Sequence, residues 1–180
     1  MLSPWGADME TLMRLTPIAL SAAIVLATMA SAGLGQRADD RLDARSVALT
    51  QQGMGLVGQG RWLEATDLFE SALAVDARNR QAYIGLARAA QGEKLPGKAV
   101  KFYYEALQLE PNDLEALTGQ GEALVQRGAV ERAKANLERV KTLCKGNCPQ
   151  AQTLAAAIAK GPPAEILAAQ KPDVGAPKPE

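Results

Sequence analysis

The sequence predicts an all-α protein built from stacked pairs of short helices. Ala, Leu, Gln, Glu, Lys and Arg dominate, the side chains that lose least on entering a helix, while aromatics make up 4% and β-branched residues are sparse. The chain repeats itself every 34 residues, in segments beginning at Ser46, Arg80 and Leu114. A period of that size marks stacked helical units. Proline punctuates the pattern, as in Glu110-Pro111-Asn112-Asp113, where it stops one helix and helps open the next. With 180 residues there is room for one domain of ordinary size plus extensions.

At the start, Ile18 to Ala30 is uncharged and mostly apolar, preceded by Arg14 and followed by Ala30-Ser31-Ala32. That layout predicts a secretory signal peptide over residues 1–32, cleaved after Ala32. The alternative is an uncleaved anchor, because Leu15 to Leu34 nearly reaches membrane-spanning length. Asp8 and Glu10 suit a positively charged leader poorly, whereas a start at Met13 would place Met-Arg directly before the apolar run. No cysteine follows that run, so a lipid anchor is not supported. Residues 33–45 read as a charged lead-in.

The repeats then occupy 46–79, 80–113 and 114–147. Large apolar residues recur at the fourth place (Leu49, Tyr83, Leu117) and small ones at the eighth (Gly53, Ala87, Gly121). Alanine holds the twentieth (Ala65, Ala99, Ala133), followed by Phe69, Tyr103 and Leu137 at the twenty-fourth and Ala72, Ala106 and Val140 at the twenty-seventh. Antiparallel helices approach closely only where small side chains meet, and large residues between those points fill the gap to the next repeat. First helices are expected near 47–59, 81–92 and 115–127, and second helices near 62–74, 96–108 and 130–143. Gly53, Gly55 and Gly58 make the first of these the weakest element, since an interior glycine costs about 0.5–1 kcal/mol relative to alanine. Pro149 opens a capping helix over 149–160 that covers the apolar face of the last repeat. The proline-rich tail, 161–180, is expected to be disordered.

These places resemble the tetratricopeptide-repeat (TPR) family, and the resemblance covers Ser46 to about Asn147 in phase. Gln52 and Gln120 depart from it where the family prefers leucine, as do Ala77 and Lys145 where it prefers a closing proline. The resemblance implies a TPR solenoid of three helix-turn-helix repeats plus a cap. It also implies a concave groove lined by places two, five, nine, twelve and thirteen of each repeat. Carried over, these are Val47, Thr50, Met54, Val57 and Gly58; Gln81, Ile84, Arg88, Gln91 and Gly92; and Glu115, Thr118, Glu122, Val125 and Gln126. Members that grip a chaperone's C-terminal carboxylates have Lys and Asn where this chain has Thr50 and Met54, so that ligand class loses its anchor.

Little else in the chain carries chemistry. It has no histidine, the usual general acid/base and metal ligand near neutral pH. Two cysteines without histidine fall short of a zinc site, and no glycine-rich phosphate loop is present. No enzyme activity and no cofactor are expected. The 20 basic and 20 acidic residues cancel without forming a block, which argues against nucleic acid or an anionic membrane surface; any membrane contact would come from an uncleaved leader. Cys144 and Cys148, spaced C-x-x-x-C, are expected to form a structural disulfide in an exported protein, with two buried thiols as the alternative. The expected function is a non-enzymatic scaffold in a bacterial periplasm or cell envelope, holding a peptide or helix of a partner protein, with assembly of envelope machinery as the setting that the resemblance implies. A self-associating structural protein and an accessory subunit of an envelope enzyme are the other readings.

Overall fold

The computed structural model describes residues 41–145 and 148–170. The expected leader, its cleavage site, most of the lead-in, Gly146-Asn147 and the last ten residues lie outside them. Eight helices are present among the described residues: α1 (Ala44–Gly58), α2 (Trp62–Val75), α3 (Arg80–Gly92), α4 (Pro96–Leu109), α5 (Leu114–Gln126), α6 (Val130–Leu143), α7 (Pro149–Lys160) and α8 (Ala164–Gln170). The fold is all-α, and none of these helices is long and apolar enough to cross a membrane.

The first six helices form three antiparallel pairs, α1/α2, α3/α4 and α5/α6, each second helix also packing on the next first helix. The helices fall within three residues of expectation. The largest shift is at α1, which starts at Ala44 because the Asp43 carboxylate accepts from the Arg45 N–H at 2.7 Å and caps it. Asn79 and Asp113 cap α3 and α5 the same way, through the Ala82 and Ala116 N–H groups. The second helices have no side-chain cap, and α4 opens on Pro96 instead.

Each pair turns through the fifteenth place of its repeat, where Gly60, Lys94 and Gly128 have φ of 75°, 59° and 80°. Glycine adopts this left-handed conformation freely; lysine does not. The turn is therefore shared although its residue type is not.

The alanines at places twenty and twenty-seven are all fully buried except Val140's repeat, where valine takes the place and is equally buried. Phe69 is enclosed at the junction of repeats one and two, against Ala65, Ala72, Ala82 and Leu86. Tyr103, Leu117, Leu124, Leu137 and Leu154 belong to the larger core of repeats two and three and the cap. Gly85 and Gly119, both at place six, allow this packing: a Cβ on either would overlap the ring of Phe69 or Tyr103. Leu154 of α7 sits fully buried over Gly121 and closes the last repeat.

Two buried polar networks join the helices. Asn79 Nδ2 donates to Ser46 Oγ (2.8 Å) and Thr50 Oγ1 (2.9 Å), and Ser46 donates to the Ala72 carbonyl. In repeat three, Asn136 Nδ2 donates to Gln120 Oε1 and the Leu117 carbonyl, so the glutamine standing in a leucine position is satisfied inside the core.

The tail departs from expectation. Ala164–Gln170 forms a short helix, α8, inside the segment expected to be disordered, because Pro163 is followed by the strong helix formers Ala164, Glu165, Leu167, Ala168 and Ala169. Its first turn is closed by N–H groups of Ile166 and Leu167 on the Pro163 carbonyl.

Candidate functional site

Between repeats, α1 packs on α3, α3 on α5, and α5 on α7, so the first helices and the cap together line one face. Residues at places two and nine of each repeat reach that face, joined by place twelve of the first two repeats and place thirteen of the third. Val47, Met54 and Val57 are half-buried on α1, as are Gln81 and Gln91 on α3 and Glu115, Glu122 and Gln126 on α5; Arg88 is exposed.

The fifth place behaves differently from the carried-over expectation. Ile84 is completely buried in the core and offers no surface to a ligand. Thr50 and Thr118 are 5% and 8% exposed, and their hydroxyls are engaged locally, donating to the Ser46 and Leu114 carbonyls. A β-branched side chain at this place points along the seam between neighbouring helices and closes it. Val125, at place twelve, is also mainly core, at 4% exposure. Gly92 lies beneath the Trp62 ring, where a Cβ would overlap it.

The groove's charges are arranged as a ladder across the repeats. Arg88 approaches Met54 Sδ on one side, at 4.0 Å, and pairs with Glu115 on the other, Nη2 to Oε1 at 2.7 Å. A second pair, Arg80 with Asp113, lies at the edge of the same junction. Beneath the ladder, the buried Tyr103 ring sends its hydroxyl to Gln91 Oε1 at 2.8 Å. Burial pushes the Tyr103 hydroxyl well above the ordinary tyrosine range; nearby Arg88 opposes this, and Glu122 and Glu115 add to it. Burial also raises the Glu122 carboxyl, with Arg88 acting in the opposite direction.

Two depressions flank the ladder. One, of about 380 Å³ between α1 and α3, is lined by Leu42, Val47, Thr50, Gln51, Met54, Asn79 and Gln81. Its exposed surface is mainly apolar, since Asn79 and Thr50 satisfy each other. The other, of about 580 Å³, lies between α5 and the cap and includes Glu122, Val125, Gln126, Ala157, Lys160, Pro162 and Pro163. The contribution of α7 and the Gly161–Pro163 turn was missed in the sequence. The signal was there: continuing the 34-residue phase past Asn147 puts Lys160 at place thirteen of a further first helix.

At the end of α6, Cys144 and Cys148 are paired with their Cα atoms 6.1 Å apart, within the span a disulfide bridges. Helix α6 ends at Leu143, as expected, and Lys145 then turns the chain with φ of 54°. Among the described residues, no group of three or more His, Cys, Asp or Glu side chains could hold a metal ion.

No protein-family model matches the sequence, and no curated protein does. Solved structures do resemble the fold. The first TPR domain of Spaghetti (RPAP3), bound to the HSP90 peptide SRMEEVD, superposes with a TM-score of 0.60 and 24% identity, over 66% of this chain and 94% of that one. The Sgt2 TPR domain from Aspergillus fumigatus gives 0.60 and 19%, over 77% and 89%. The Yersinia enterocolitica type III secretion chaperone SycD, in complex with a peptide of the translocator YopD, gives 0.55 and 18%, over 63% and 86%. The protein thus has the tetratricopeptide-repeat fold.

Proposed function

We propose that this protein is a non-enzymatic adaptor that holds an extended segment of a partner protein along the face formed by α1, α3, α5 and α7. The observation that carries this reading is the juxtaposition of an apolar depression at Val47 and Met54 with the polar ladder of Arg88, Glu115 and Glu122. Apolar anchoring supplies affinity, and fixed polar groups set register. The peptide-bound forms of Spaghetti and SycD support the reading by likeness of fold. The signal-like leader and the cysteine pair support export to a bacterial periplasm or cell envelope, where the partner would be another envelope protein, one component of an assembling machine.

Photo-crosslinking amino acids placed at Met54 or Gln126 in the groove, and at Leu63 or Glu138 outside it, test the proposal in the cells that make the protein. Adducts that map to one extended segment of a partner, from the groove positions only, are expected. Adducts confined to Leu63 and Glu138 would place the working contacts on the outer face.

A further inference from the structure

We infer that the depression between α5 and the cap is a subsite for a basic side chain, a Lys or Arg of the bound segment, with Glu122 as its counter-charge; this rests on the groove reading above. Glu122 is half-buried in the wall of the depression, and among the described residues nothing hydrogen-bonds to its carboxylate or pairs with it. Its natural counter-ion within the groove is Arg88, and the Arg88 guanidinium is already held by Glu115 at 2.7 Å. Arg88 thus acts on two carboxylates but is bonded to Glu115 alone, and Glu122, which burial desolvates, has no hydrogen bond among the described residues. A desolvated carboxylate gains more from an incoming cation than an exposed one does, because much of its water has already been removed.

The walls fit the same occupant. Val125, Ala157, Pro162 and Pro163 are apolar and would cover the aliphatic stem that carries a Lys or Arg head group to Glu122. Lys160, at the end of α7, lines the depression too, but it is exposed and makes no ion pair with Glu122. Its flexible stem lets the ammonium turn outward when a cation enters, so Lys160 weakens the subsite without occupying it. The apolar depression at Met54 and the Glu122 depression are two interhelical steps apart and offset along parallel helices, roughly 20 Å. An extended chain covers that in about six residues. The segment recognised therefore carries an apolar residue and a basic residue about six positions apart.

Selection of a random 12-residue peptide display library on the immobilised domain, wild type and the isosteric Glu122→Gln, tests this, followed by calorimetry on the synthetic winner and its Lys→Glu counterpart. Expected are winners with a basic residue about six positions from an apolar one. The Lys→Glu change should weaken binding about tenfold or more in the wild type and by less than about threefold in Glu122→Gln. Lys160→Ala should bind the basic peptide more tightly. Winners enriched in acidic residues, with the preference lost in Lys160→Ala, would make Lys160 the anchor and overturn the subsite. Winners sensitive to Met54→Ala or Arg88→Glu but without any basic preference would overturn the subsite and leave the groove standing. No enrichment, or peptides indifferent to Met54, Arg88 and Glu122 alike, would overturn the groove and the subsite with it. Circular dichroism of each variant confirms that the helices are intact.

Discussion

Arg88 of α3 and Glu115 of α5 close an ion pair across two repeats, Nη2 to Oε1 at 2.7 Å, on the face where a ligand would lie. Both partners are partly exposed, so the pair contributes little to folding, about 0.2–1 kcal/mol in a double-mutant cycle. Its effect should fall on binding. Arg88→Glu would set three carboxylates side by side and is expected to weaken partner binding while thermal stability changes by less than about 1 kcal/mol. Binding that is unchanged in this variant, with normal helicity, would move the working surface off this face.

Asn79 performs three tasks with one side chain: it caps α3 and donates to Ser46 and Thr50 of the preceding repeat. Removing it leaves two hydroxyls short of a donor and one helix uncapped. Asn79→Ala should lower unfolding free energy by about 2–3 kcal/mol, the sum expected of a cap and buried hydrogen bonds. Denaturant titration checks this. Asn79→Asp should recover the cap but not the donated bonds, and fall between the two.

Glycines of the same helical type should respond oppositely to alanine. At Gly119 a Cβ overlaps the Tyr103 ring, whereas at Gly55 it meets nothing within 4 Å. Gly119→Ala should destabilise by about 1–3 kcal/mol through overpacking. Gly55→Ala should stabilise by about 0.5–1 kcal/mol through the helix itself. Equal effects at the two sites in chemical unfolding would contradict the packing described for α4 and α5.

Acid should loosen the first repeat through Asp76. Its carboxylate is held down to about 2 by the Arg78 side chain first, then by the Arg78 and Asp43 backbone N–H groups. A carboxyl whose folded pKa lies below its unfolded value of 3.8 contributes stability that is complete above that value and lost as pH falls toward about 2. Between pH 4 and pH 2, wild-type protein should therefore lose more stability than Asp76→Asn. Parallel acid titrations of the two, followed by helix content, would refute the assignment.

Cys144 and Cys148 should be bridged in protein from an oxidising compartment. A loop this short gains little chain entropy, so the effect is expected to be smaller than the ~2–4 kcal/mol of ordinary disulfides and local to the cap. Reduction or Cys148→Ser should leave most helicity intact while raising hydrogen exchange over residues 149–160 and α6. Two freely alkylated thiols in protein purified without reductant would show that apolar packing alone, through Leu154, holds α7.

Much of this was legible because the repeat aligns residues that do the same job. Place twenty is alanine three times, and all three alanines are fully buried. The left-handed turn at place fifteen was not legible, because Gly60, Lys94 and Gly128 share a backbone conformation and not a residue type. Nor was the loss of Ile84 from the groove. A place number gives the helical face, but whether a side chain on that face sinks between two helices depends on how far apart they stand.

The sequence by itself determined the helices, their pairing and the small and large places at which they pack, since these follow from propensity and a local period. Tertiary structure alone decided which groove residues remain available. Arg88 is bonded to Glu115, 27 positions away, whereas Glu122, 34 positions away, feels the same cation without a bond to it. Lys160 and the Pro162-Pro163 turn join the same face only because α7 stacks on α5. Electrostatic partners are chosen by distance in space and by solvent access, and neither is written in the order of the chain.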